Sequence, residues 1–281
     1  SREILQEHQL VDSIKKAATK RMLDSLKDLK TNSFDKYKEF WNEYGLVLKE
    51  GPAEDHENKE TIASLMLFAS TFSNNNSVNQ SLDDYVGRMK SDQDKIYFCV
   101  ADTYEAAVNS PHIEGLKSKG IEVILLTDRI DEWLMAGLIE YQGKELVNAA
   151  KEDIEKEDTS KKVSEADQDV IKKIKKHLNE KVSDVVISSR LTDSASCIVL
   201  PKHEPGAQLR KILEASGQSL GSSNPIFEIN IKHKLVKKLK DMKGKQFNAY
   251  VDFLYDYAVI AEGGSPQDPS RYLRQLDKYL S

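Results

Sequence analysis

The chain has 281 residues, 31% of them charged and 39% hydrophobic, with 41 Lys and Arg against 46 Asp and Glu for a formal net charge of −5. Acids and bases are mixed along its length, which excludes the clustered basic stripe that binding a phosphate backbone needs. No stretch reaches the roughly 20 apolar residues of a membrane helix, so neither nucleic acid nor membrane is an expected partner.

The length suits about two domains. From Gln9 to Leu29 the apolar residues Leu10, Val11, Ile14, Ala18, Met22, Leu26 and Leu29 recur every three or four positions, which predicts an amphipathic helix. "SFDKYKEFWNEYG" predicts a second, with Ser33 as N-cap, a stripe of Phe34, Tyr37, Trp41 and Tyr44, and Gly45 as its end. A third runs from Lys59 to Phe68, and the polar run "TFSNNNSVNQS" closes a helical coil over residues 1–75.

The pattern changes at Lys95. "KIYFCVAD" reads as a buried strand, "TYEAAVNSPHIEGLKSKG" as helix broken at Pro111 and stopped at Gly120, and "IEVILLTD" as a second strand. Strand, helix, strand in about 30 residues is a βαβ unit with parallel strands. A short helix in "RIDEWLMAGL" and a strand pair or an extended segment turning at Gly143 complete an αβα subdomain over 80–150. Charge is dense and apolar residues are sparse from Ala149 to Ala166, which places a connector there and a domain boundary near Thr159. The domains are then 1–158, α/β with a helical coil, and 159–281, mixed α+β.

In the second domain Val170, Ile171, Ile174 and Leu178 mark a helix, "VSDVVISSRLTDSASCIVLP" two strands around a turn at Asp193, "GAQLRKILEASG" a helix and "PIFEIN" a strand. Three helices end the chain, near His233–Met242, Lys245–Glu262 and Pro269–Leu280. The middle one is apolar on two sides: Phe247, Val251, Leu254, Ala258 and Ala261 on one, Tyr250, Phe253, Tyr257 and Ile260 on the other. A helix apolar on two sides is buried on two sides. With Leu273, Leu276 and Leu280 on the last helix, this predicts a two-fold dimer in which Phe247, Tyr250, Val251, Phe253, Leu254 and Tyr257 meet their copies; a helix sandwiched inside one subunit is the other reading.

No complete active site is present. The sequence holds no glycine-rich phosphate loop, H-E-x-x-H, C-x-x-C or G-x-S-x-G, and its six His are scattered without metal-ligand spacing. Cys99 and Cys197 each sit in an apolar run and read as buried thiols in a reducing compartment. Trp133 is either core or an exposed anchor for a protein partner, and Leu209, Ile212 and Leu213 are either core or an exposed apolar helix face. A small-molecule enzyme using the strand ends near Asp102 and Asp128 is the competing class, and it would need a pocket there with converging polar groups.

Five strings, "SREILQ", "FWNEYGLVLKEGPAED", "SLDDYVGRMK", "GIEVILLTDRIDEW" and "SRLTDSASCIV", resemble the heat-shock protein 90 family in its bacterial form, in family order and nearly end to end. The resemblance implies the later part of a middle domain followed by a whole C-terminal dimerisation domain, with the ATP-binding domain absent. It implies a homodimeric, ATP-driven chaperone for partly folded proteins. ATP and Mg would act in the complete protein, with no cofactor and no ATPase activity in this chain alone. Arg2 aligns with the family's catalytic arginine and Gln6 with its companion; a guanidinium near a γ-phosphate stabilises the charge that develops during hydrolysis. Client-binding surface transfers onto Glu132 and Trp133 and onto Leu209, Ile212 and Leu213. Pro205 and Leu209 stand where family members carry Met, and Ala136 where a polar residue occurs. The resemblance also implies a DnaK-type chaperone as a further partner. "LRQLDKYLS" lacks the acidic tail of eukaryotic cytosolic members, which points to the bacterial cytoplasm.

Overall fold

A computed structural model describes residues 9–73, 75–151, 164–201 and 224–280. Two long helices lead: α1 (Gln9–Asn32) and α2 (Phe34–Glu54), followed by the short α3 (Lys59–Leu65). Gly45 does not end α2, which runs on through Pro52. The reason is local: a Cβ on Gly45 would stand 2.8 Å from the Trp41 ring, so the missing side chain makes room for the indole. The buried stripe is accordingly Tyr37, Trp41, Gly45, Lys49 and Pro52, with Phe34 and Tyr44 exposed. Ser33 makes no side-chain cap hydrogen bond.

The first sheet has the order β1-β3-β2-β5-β4: β1 (Ala69–Ser70), β2 (Lys95–Val100), β3 (Val123–Leu126), β4 (Glu140–Tyr141) and β5 (Lys144–Asn148). β2 pairs parallel with both β3 and β5, as the βαβ reading requires. Alternate residues serve opposite faces. Ile96, Phe98, Ile124 and Leu126 join the core with the helical coil, while Tyr97, Cys99, Val123 and Leu125 join a second core under the crossover. That crossover is α5 (Tyr104–Val108), a 3₁₀ turn at Pro111–Ile113 and α6 (Glu114–Ser118), stopped by Gly120 at φ +65°. Before the sheet, α4 (Leu82–Arg88) starts on a capping box between Ser81 and Asp84. α7 (Asp131–Gly137) joins β3 to the β4–β5 hairpin, whose turn places Gln142 and Gly143 at positive φ.

The second domain begins with α8 (Glu165–His177), N-capped by Ser164, acidic in its first turn and basic in its last, which complements its dipole. Its sheet is β6 (Asp184–Ile187), β8 (Ile226–Ile229) and β7 (Ser196–Val199) in that order. The two strands flanking Asp193 therefore do not pair with each other; β8 lies between them, parallel to β6 and antiparallel to β7. The chain ends with α9 (Lys234–Lys237), a 3₁₀ turn at Lys238–Asp241, α10 (Gly244–Ala261) and α11 (Pro269–Leu280). The middle of the expected connector, with the boundary at 159, and the helix at 206–217 lie outside the described residues, while the connector's last residues, Glu165 and Ala166, already belong to α8.

Candidate functional site

Trp133 lies on α7 and is 52% exposed, whereas the other Trp, Trp41, is buried. The base of that helix is fixed by charge. Lys49 of α2, 4% exposed, places Nζ 2.6 Å from Asp131 Oδ1 and 2.7 Å from Asp128 Oδ2. The second Asp131 oxygen accepts from the Asp128 N–H at 2.9 Å. Asp131 is fully buried, and burial pushes its carboxyl up against the pull of Lys49. Leu134, Met135 and Leu138 enter the core behind it. Glu132, on the same turn, is half-buried, and Ile139, just past the helix, is 64% exposed. The sequence thus puts an exposed aromatic ring on a helix whose base is held by a buried ion pair.

Within the one chain most of each apolar face of α10 is covered. Phe247, Tyr250, Val251, Phe253 and Leu254 are each at most 5% exposed within this one chain. α10 lies along β7, where the Ser196 hydroxyl donates to the Leu254 carbonyl at 2.9 Å. α11 folds back on the other side: the Phe253 ring stacks on Tyr272 at 5.3 Å and meets Tyr279 edge-on at 5.2 Å. Arg271 donates to the buried Asp256 at 3.0 Å, and Gln275 donates to the Ala249 carbonyl. Apolar residues that still reach the surface include Tyr257 and Ile260 on α10 and Leu273 and Leu276 on α11. The side chain of Leu280 is not among those described.

Sequence reasoning missed a joint between the domains. The stretch from Ser188 to Ser196 is bonded almost residue by residue to partners far away in the chain. The Ser188 hydroxyl donates to Glu228 and accepts from the N–H groups of Arg190 and Leu191. Arg190, 4% exposed, donates to Glu228 and reaches into the first domain, to the carbonyls of Ala149 and Lys151. The Glu114 carboxylate, on α6 of the first domain, accepts from the N–H groups of Thr192, Asp193 and Ser194 at 2.7, 2.8 and 3.1 Å and from the Ser194 hydroxyl. Burial pushes the Glu114 carboxyl up, but these donors outweigh it and hold it below its usual range. Gly115 lets the backbones touch, since a Cβ there would stand 2.8 Å from the Arg190 carbonyl oxygen.

Both cysteines are free and buried, and burial pushes the Cys99 thiol up to about 12. Asp102 lines one cavity and Asp128 another, so the two strand ends do not converge on one enzyme site. No cluster of metal-ligating side chains and no helix long and apolar enough to cross a membrane occurs among the described residues. Arg2, Gln6, Leu209, Ile212 and Leu213 lie outside them.

Comparison with known proteins agrees with the sequence resemblance. A chaperone protein HtpG of Legionella pneumophila (strain Lens) is 46% identical over 286 residues, covering 100% of this chain and 46% of that protein. Those of Colwellia psychrerythraea and Chromobacterium violaceum are 45% and 44% identical, again over 100% of this chain and 44% and 46% of theirs. The chain therefore spans about half the length of the relatives it matches, and the matches are to chaperones, which leaves the small-molecule enzyme reading without support. The family model described as Hsp90 protein matches residues 1–281, and the chain belongs to the Hsp90 family.

Proposed function

We propose that this chain is the client-binding and self-associating part of an ATP-driven chaperone that assists partly folded proteins. The observation that carries the reading is Trp133, half exposed on a helix whose base is held by a buried ion pair. Trp is among the residues that dominate protein–protein binding, because one ring buries a large area for the loss of few rotamers. A rigid mount adds to this by lowering the ordering cost of binding. Glu132 and Trp133 then form one client contact, and Leu209, Ile212 and Leu213 a second.

Self-association uses Tyr257, Ile260, Leu273, Leu276 and Leu280 as its contact strip, with Phe247, Tyr250, Val251, Phe253 and Leu254 as the core that holds the strip in place. Two copies double the client surface within one particle and raise avidity through effective concentration. In the complete protein Arg2, supported by Gln6, acts on the γ-phosphate of Mg-bound ATP, and a DnaK-type chaperone and the bacterial cytoplasm are the matching partner and compartment. The test is Trp133→Arg in an assay of aggregation of a thermally unfolded enzyme. Suppression should fall several-fold with the melting temperature unchanged; unchanged suppression by the folded variant sinks the Trp133 contact.

A further inference from the structure

The C-terminal end of β2 and the end of α10 enclose a cavity of about 300 Å³ between the two domains, beside the joint. Val100, Ala101 and Ala106 line it from the first domain, Ile198, Leu200 and Val259 from the second. Its polar lining is already committed. His112 Nε2 and Glu262 Oε1 are buried and lie 2.6 Å from one another. Asn148 Oδ1 accepts from the Ala150 N–H. Asp102, Glu132 and Lys151 each interact with other groups of the chain. What remains for a guest is apolar surface.

Water inside such a cavity finds few partners, so an apolar group that displaces it gains. The volume sets the size at about ten non-hydrogen atoms, taking the roughly 30 Å³ that one water occupies in the liquid as the measure, which is room for one leucine or phenylalanine side chain. The place of the cavity selects the source of that side chain. Glu132 lines it, and the next residue on α7 is the half-exposed Trp133. Successive residues of a helix are about 100° apart, so the ring and the cavity serve adjoining sides of α7. An extended segment of a partly folded protein carries apolar side chains every few residues, and one such segment supplies both an occupant for the cavity and a partner for the ring.

We propose that this cavity takes a single uncharged apolar side chain of the client segment that meets Trp133, seated against Val100, Ile198 and Val259. The inference rests on the reading of Trp133 as a client contact and adds to it a pocket that selects by side chain. Because the walls come from both domains, an occupied cavity favours the docked arrangement that the joint holds and stabilises it by mass action.

Three probes that differ only in side chain test the cavity: N-acetyl-leucinamide, N-acetyl-glycinamide and N-acetyl-lysinamide, titrated into the whole chain with labelled Ala, Ile, Leu and Val methyl groups. The leucine probe should give saturable shifts at Ala101, Ala106, Ile198 and Val259. The glycine and lysine probes should bind at least about tenfold more weakly, as expected for the loss of one buried apolar side chain. Ala106→Phe puts a ring into the cavity and Ala106→Asp a carboxylate, both from an exposed wall position where neither displaces core. Each should abolish the leucine-probe shifts at Ile198 and Val259. Each should also lower suppression of aggregation of a thermally unfolded enzyme several-fold, with the melting temperature unchanged. No saturable shift at the four methyl sites, or a leucine probe that binds no tighter than the glycine one, overturns the proposal. Unchanged suppression by both folded Ala106 variants, while Trp133→Arg lowers it, removes the cavity and leaves the Trp133 contact standing; unchanged suppression by all three removes both.

Discussion

Lys49→Met isolates the electrostatic mount beneath Trp133. The substitution keeps an unbranched side chain of similar length and removes only the ammonium, which lies 2.6 Å from an Asp131 carboxylate of zero exposure. Two outcomes are open to Asp131. It stays ionised without a counter-charge in the interior, which costs about 3–5 kcal/mol. Or it takes up a proton, which at pH 7 costs about 1.4 kcal/mol for each unit above its ordinary value near 3.9, about 4 kcal/mol in all. The two routes converge on one magnitude, and only the second depends on pH. Protonation at pH 5 costs only about 1.5 kcal/mol by the same relation. The sign follows from a folded carboxyl raised above its unfolded value: stability is lost as pH rises through the unfolded value towards the folded one. Urea unfolding followed by circular dichroism should therefore show Lys49→Met losing about 3–4 kcal/mol at pH 7 and less than half of that at pH 5. Lys49→Met with Asp131→Asn should recover most of it, since the amide carries no charge to strand. A loss below about 1 kcal/mol at pH 7, or one that does not shrink at pH 5, refutes the account of a buried pair fixing α7.

The joint has its own pH signature. Glu114 is held below its usual range by Ser194 and three backbone N–H groups, so its stabilising contribution is fully present above the unfolded value near 4.3 and is lost as pH falls through the folded one. The stability difference between wild type and Glu114→Gln should be constant above about pH 6 and shrink below about pH 4. Gly115→Ala, which drives a methyl to 2.8 Å from backbone oxygen, should cost about 1–3 kcal/mol in the same experiment. Leu254→Asp and Leu273→Asp separate core from surface. The first strands a carboxylate at a position 1% exposed and should unfold the C-terminal domain, and the second, at a position 57% exposed, should leave the melting temperature within a degree or two while lowering the mass seen by light scattering from two chains to one. A Leu273→Asp chain that still scatters as a dimer removes α11 from the contact strip.

The strands and helices were legible wherever one period governed a segment. The βαβ unit, the hairpin at Gly143 and the buried cysteines all follow from runs of four to eight apolar residues and the punctuation between them. Two readings turned on contacts that periodicity does not display. Gly45 has the look of a helix stop, yet one turn earlier Trp41 needs the space a Cβ would fill. The two-sided α10 demands two coverings, but periodicity counts faces and not the elements that cover them. The missing cover was α11, whose Tyr272 and Tyr279 close over Phe253. That Tyr250 Oη finds no hydrogen-bond partner among the described residues has no counterpart in any sequence pattern.

The stretch "SRLTDSAS" shows what resemblance supplies and what it leaves out. It marks the family, but its composition reads as an ordinary polar turn. Its partners include Glu114, Ala149, Lys151, Glu228, Asn230 and Leu254, from 35 to 80 residues distant, and no spacing rule relates positions so far apart. Physically the stretch does one job. Three successive N–H groups aimed at one carboxylate, a guanidinium on two carbonyls and a glycine contact hold α6 and β7 in register, so the first domain cannot turn on the second without breaking charge-assisted bonds. α7 rides on the first domain and the exposed strip of α10 and α11 on the second. A joint bonded this densely makes the orientation of one surface depend on the other.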